Sequence, residues 1–164
     1  AMRCRWNAAG DDAALPFEWG LSLDNESIVY GCIKHLPFGD RQQRQASCFH
    51  NRRAIRTLPE SDQWPFLSQD MFAISGDQAS GGSFQTQVIH FGMSYRAVEY
   101  EWEHWIAKFE RLLKQMYWVG AVVHLETDFS GFHTFMWDSA DDYHEPSEDP
   151  LRVRCEWSRE GTMV

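Results

Sequence analysis

FQTQVIHFGMSYRAVEYEWEHWIAKFERLLKQMYWVGAVVHLETDFSGFHTFMW, residues 84–137, is the stretch that decides how the rest of the chain is read. It reads as a strand, an amphipathic helix and a β-hairpin. Val98, Trp102, Trp105, Ile106, Phe109, Leu112, Leu113 and Met116 recur at steps of one, three and four, tracing one face of a 3.6-residue period. Glu99, Glu103, Glu110, Arg111 and Lys114 fall largely away from that stripe, and Glu110 with Lys114 makes a favourable i,i+4 pair. The pattern predicts one long helix over residues 96–116, about 30 Å in length, with Ser94 as its cap. Before it, 84–93 is an extended run; after it, 118–126 and 132–137 are strands around the turn Asp128-Phe129-Ser130-Gly131. Strand, helix, strand, strand predicts an α+β fold, a mainly antiparallel sheet packed against that helix.

Working outward, 17–23 and 27–36 read as a hairpin about the turn Asp24-Asn25-Glu26, and Pro37, Gly39 and Asp40 end the regular structure. Residues 41–56 carry Arg41, Arg44, Arg52, Arg53 and Arg56 with no acid among them, as a helix or an exposed loop. Their bland reading is a solvated segment pairing with the protein's own carboxylates. The alternative is a basic patch for phosphate, RNA or an acidic partner. Residues 59–68 read as a connection or short helix with Ser61-Asp62 as N-cap, 71–75 as a short strand, and 76–83 as a glycine-containing loop. No Gly-Lys-Ser/Thr follows those glycines, so they are not a phosphate-binding loop. Asp138, Asp141, Asp142, Glu145, Glu148 and Asp149 then stand without a Lys or Arg, broken by Pro146 and Pro150, as an exposed acidic loop. A last strand follows over 151–157. No repeat or linker divides the chain, so one domain is expected over 1–164.

The 164 residues are enough for a sizeable core, and 43% hydrophobic content argues against disorder. Ala1 before Met2 reads as a tag remnant. The polar first dozen residues are unlike a signal peptide, and no apolar run approaches the roughly 18 residues that span a bilayer. A cytoplasmic protein is expected. Cys4, Cys32, Cys48 and Cys155 lack C-x-x-C spacing, which argues against structural zinc and for thiols. Arg3-Cys4-Arg5-Trp6 and Arg154-Cys155-Glu156-Trp157 are alike, and neighbouring terminal strands would bring those thiols close. Net charge is −9, which weighs against general nucleic-acid affinity and suits a basic protein partner.

The chemistry-bearing residues concentrate in the hairpin. His124 and Glu126, two apart on one strand, point to one face about 7 Å apart. A connecting loop with an even number of residues puts His133 and Phe135 on that face too, with Asp128 or Trp137 joining according to register. Two imidazoles with one or two carboxylates are donors for a divalent metal or an acid–base pair. His-x-Glu is common on strands, however, and no His-Glu-x-x-His spacing is present. Imidazole, carboxylate and aromatic side chains together equally compose a binding face. Binding is the favoured reading, with no cofactor and no metal. A small metal-dependent or acid–base enzyme using His124, Glu126 and His133 is the alternative.

Glu101-Trp102-Glu103-His104-Trp105, then Leu112-Leu113, Tyr117-Trp118 and His124-Leu125-Glu126-Thr127 closing on Gly131 and Trp137, resembles the small acidic immunity proteins of bacterial polymorphic, contact-dependent and type VI secreted toxins. The resemblance covers about residues 84–137 and implies a non-enzymatic protein that neutralises a cognate toxin domain. It transfers no site residue. With the net charge of −9, the toxin is expected to be basic and of nuclease type, held by Asp138, Asp141, Asp142 and Glu145 with Phe135 and Trp137 as aromatic anchors.

Overall fold

The computed structural model describes residues 25–74, 86–128, 130–139 and 141–158. Six strands form one sheet: β1 Glu26–His35, β2 Phe72–Ile74, β3 Gln87–Arg96, β4 Gly120–Thr127, β5 Gly131–Asp138 and β6 Val153–Ser158. Their spatial order is β2-β3-β1-β4-β5-β6, and every neighbouring pair is antiparallel. Among the described residues two α-helices complete the α+β fold, α1 Arg41–Arg56 and α2 Trp102–Lys114. No described helix is long and apolar enough to cross a membrane.

Of the first predicted hairpin, the second strand forms as β1. β1 is bonded along almost its whole length to β3 on one side and β4 on the other. Both of its edges are taken by these two strands; the predicted partner 17–23 lies outside the described residues, as do 76–83 and Cys4. Near the middle of β1 stands Gly31, where an added Cβ would lie 1.9 Å from the Val122 carbonyl oxygen and 2.8 Å from Phe91 Cζ. Phe91 reaches across this strand, and only a residue without a side chain leaves it room.

The predicted helix forms, but it is shorter than 96–116. Ser94 belongs to β3 and donates to Glu26 instead of capping. Ala97 turns left-handed (φ 52°) with its N–H on Asn25 O, 3₁₀ geometry covers Val98–Glu101, and α-helix begins only at Trp102. The 13 residues of α2 are fewer than the 16 of α1, so of the two described α-helices the predicted one is not the longer. The apolar stripe nevertheless seats as expected. Trp102, Trp105, Phe109, Leu112 and Leu113 are buried and Ile106 half-buried. Trp102 stacks on Trp105 at 4.9 Å and Trp105 on Phe109 at 5.3 Å, while Phe91 and Trp137 close on Phe109 from the sheet. Trp105 Nε1–H donates to Tyr95 Oη, whose proton goes to Phe66 O. That chain satisfies the Trp105 indole and the Tyr95 hydroxyl, while buried Trp102 Nε1 finds no hydrogen-bond partner among the described residues.

Three expected surface groups are drawn inward. Glu99 is buried and accepts from Ser27. Glu110 accepts from Trp137 Nε1 at 2.9 Å, and Lys114 reaches Glu148 O at 3.2 Å, so the anticipated Glu110–Lys114 pair gives way to longer-range partners.

α1 starts with a capping box: Asp40 accepts from Gln43 N–H while the Gln43 side chain accepts from Asp40 N–H. Arg53 and Arg56 in its last turn suit the helix dipole. Its buried residues are few, Asn51, Ala54 and Ile55. Asn51 docks the helix by donating to Tyr117 O and accepting from Tyr117 N–H, both at 2.8 Å. His50 Nε2 meets Gln115 O at 2.8 Å. Both helices cover the same face, since α1 touches His35 and Gln87, which share that face with Phe91 and Trp137. No helix forms at 59–68. Asp62 instead organises that connection, accepting from Gln63 N–H, Leu67 N–H and Lys108 Nζ at 2.6–3.0 Å.

Candidate protein-binding surface

The β4–β5 turn decides the fate of the hairpin cluster. Thr127 pairs with Gly131, leaving three residues between them, an odd number. Gly131 takes φ 80°, the left-handed residue that follows a three-residue turn. The register therefore sets His124 opposite Thr134 and Leu125 opposite His133. His133 is on the helix-covered face and His124 and Glu126 are on the other. The predicted His124/Glu126/His133 site does not assemble, because one residue of register turns every side chain over. Among the described residues no three His, Cys, Asp or Glu side chains are grouped to hold a metal ion.

The same register corrects the expected anchors. Phe135 and Trp137 lie in the core, Phe135 against Trp102 at 5.1 Å and Trp137 against Phe109 at 5.3 Å. Neither can meet a partner. His133, also buried, is held down in pKa by burial, with a hydrogen bond to the Ser130 backbone opposing; its Nε2 also lies 3.2 Å from the Ser130 hydroxyl oxygen.

On the opposite face of the sheet, Tyr30, His124 and Phe132 form a row of rings with centroids 5.0 and 5.2 Å apart. Tyr30 donates to Glu126 Oε1 at 2.7 Å, and that bond is the first reason its pKa is raised. Burial lowers the His124 pKa, with Glu126 opposing, and Nδ1 faces Thr134 Oγ1 at 3.0 Å. Tyr30 Oη, Glu126 Oε1 and His124 Nδ1 each serve a neighbour within the sheet.

The acidic run behaves differently. Its middle is pinned, not loose: His144 exchanges backbone hydrogen bonds with Trp118, stacks on the Trp118 ring at 4.5 Å, and places Nδ1 2.9 Å from Met116 O. Ser147 N–H donates to Lys114 O. Tyr143, next to His144, packs against His35, Tyr117 and Phe38. Burial and then Glu145 push its pKa up to about 12, so the phenol stays neutral. Asp141, Asp142 and Glu145 project outward from this scaffold, and Asp142 takes the left-handed conformation (φ 58°) that Asp tolerates in turns. Asp138, at the end of β5, pairs with Arg154 at 2.5 Å.

On the Tyr143 ring sits an apolar knob that no periodicity marks. Phe38 is 60% exposed and stands edge-on to Tyr143 at 4.6 Å; Leu36, two residues earlier, is 47% exposed. The signal available was Leu36-Pro37-Phe38-Gly39, two large apolar side chains set in turn chemistry around a proline. Asp40 follows directly as the α1 cap.

The basic residues of α1 are the remaining charged feature. Arg41, Arg53 and Arg56 are exposed, Arg44 and Arg52 half-buried. A cleft of about 440 Å³ between α1 and residues 146–148 includes His50, Arg53, Lys114 and Glu148 in its lining. His50 Nε2 and Lys114 Nζ bond there to the backbone oxygens of Gln115 and Glu148.

Comparison with protein families, curated proteins and solved structures finds no match to this chain. Its function must be read from the site.

Proposed function

We propose that this protein is a non-enzymatic binding module, an immunity protein that neutralises a basic toxin domain, most plainly a nuclease. The observation that carries the reading is exposed Phe38 standing against Tyr143, which the exposed acids Asp141, Asp142 and Glu145 flank along the chain. An apolar anchor bordered by like charges has the make-up of a protein-docking surface: the anchor supplies affinity, the rim supplies steering. The pinning of Tyr143 and His144 supports it further, since a preorganised surface loses less conformational freedom on binding. The net charge of −9 complements a domain made basic by the need to hold a polyanion.

The test is co-expression with the toxic domain encoded beside its gene, followed by binding kinetics with that purified domain. Protection of growth is expected. Neutralising Asp141, Asp142 and Glu145 together (to Asn, Asn and Gln) should slow association at low salt and flatten its salt dependence, whereas Phe38→Ala should speed dissociation. Unprotected growth in cells that accumulate the folded protein would refute the reading. An unchanged association rate for the triple variant would move the docking surface elsewhere.

A further inference from the structure

The cleft between α1 and residues 146–148 has a volume of about 440 Å³, within the range of cavities that take small molecules. Its charge runs against that of the protein. Of Lys, Arg, Asp and Glu it holds Arg53, Lys114 and Glu148, two cations against one carboxylate, whereas the whole chain has 15 cations against 24 carboxylates. A second hollow of about 260 Å³ meets it at Thr57 and Gln115 and adds Arg111, with Lys108 already paired to Asp62. The positive sign therefore continues along the seam where α1 and α2 end.

In so acidic a chain, Arg53 and Arg111 make no ion pair among the described residues. The exposed Arg53 guanidinium keeps its fork of N–H donors, and Lys114 gives one proton to Glu148 O and keeps the others. Helix C-termini repel anions through carbonyls left without partners. Here those carbonyls are occupied. Arg53 O and Ala54 O accept from Thr57 N–H, Lys114 O accepts from Ser147 N–H, and Gln115 O is met by His50 Nε2. The field in the cleft is therefore set by its side chains, and a hollow of one sign concentrates ligands of the other.

We propose that this cleft binds a small molecule carrying a phosphate group, with the phosphate between Arg53 and Lys114 and the rest of the molecule against Ala54 and Pro146. An arginine fork meets two phosphate oxygens at once, and the ammonium adds a point charge. Two cations also suit the near-double charge of a phosphate monoester better than the single charge of a carboxylate. The site uses none of Phe38, Asp141, Asp142 and Glu145, so it does not rest on the toxin-binding reading.

The test is an amide NMR titration of the full chain at low salt with adenosine monophosphate, carried to about 5 mM, a range suited to a weak site. Saturable shifts are expected at the amides of 50–57, 114–115 and 146–148. Inorganic phosphate should move the same amides, and adenosine should not. Arg53→Gln changes an exposed position to a residue with similar helix propensity and should weaken adenosine monophosphate binding about tenfold. Arg41→Gln removes the same charge from the first residue of α1, about 18 Å along the helix, and should leave the affinity unchanged. Each variant's spectrum without ligand reports its fold. No saturable shift over that range overturns the proposal, as do shifts confined to other parts of the chain. Equal losses in the two variants also overturn it, because they would show attraction by overall charge and not by this cleft. So does adenosine binding as tightly as its monophosphate.

Discussion

α2 and α1 cover the same face of one sheet by different physics. α2 presents a stripe of rings, Trp102, Trp105 and Phe109, that stack on one another and insert between Phe91 and Trp137. Its attachment is apolar area removed from water, which is non-directional and large. α1 is polar over most of its surface and buries only Ala54 and Ile55 as apolar side chains within the helix. It is held by a single buried amide, Asn51, that completes the backbone hydrogen bonds of Tyr117, with Ser47 on His35 and His50 on Gln115 beside it. That attachment is directional, and it depends on every polar atom finding its partner. The first kind of contact is visible in a periodicity; the second is invisible until both partners are in place.

The sharpest way to separate the two is to delete one element of each. Phe109→Ala removes the ring at the centre of the α2 stack and should cost about 3–5 kcal/mol in chemical denaturation. An unchanged denaturation midpoint would show that the stack is not what holds the sheet and helix together. Asn51→Ala removes almost no apolar area but leaves the Tyr117 N–H and carbonyl unpaired in the interior, and should cost about 2–3 kcal/mol. Should it cost under about 0.5 kcal/mol, the level of an ordinary surface change, α1 would be shown to be held by something other than its amide.

A smaller effect reads the α1 side through pH. His35 is buried against Ser47, Tyr117 and Tyr143, and burial pushes its pKa down to about 4 from 6.5. The unfolded chain therefore binds a proton that the folded one resists. Stability from this group is complete above about pH 6.5 and is lost as pH falls toward 4, by about 2 kcal/mol at pH 5. His124 and His133, also lowered by burial, add loss of the same sign. Urea midpoints at pH 7 and pH 5 for the wild type and His35→Gln should show the variant losing less on acidification. Equal losses in the two proteins would remove His35 from the account.

How far each region could be read follows from the range of the interactions that form it. The Trp102–Leu113 stripe, the strands on either side of the 128–131 turn and the acidic character of 138–149 are local properties of spacing and charge, and they stand in the structure close to where the pattern put them. The candidate site was legible in its residue types but not in its assembly. His124, Glu126 and His133 lie in one hairpin, yet a single residue in the turn, with Gly131 left-handed, sends His133 inward with Phe135 and Trp137. Phe38 carries no periodicity at all; it matters because Tyr143, more than a hundred residues along the chain, comes to stand beside it.

The sequence by itself determined the α+β class, the amphipathic face of α2 and the excess of acid, because each depends on residues a few positions apart. Tertiary structure alone decided that β1 is a central strand with both edges filled, that α1 docks through Asn51, and that the acidic loop is pinned at His144 beside Phe38. Those outcomes rest on which distant groups satisfy one another's hydrogen bonds and fill one another's space. Such pairings are chosen by closure of the whole chain, and no short window of sequence contains both partners.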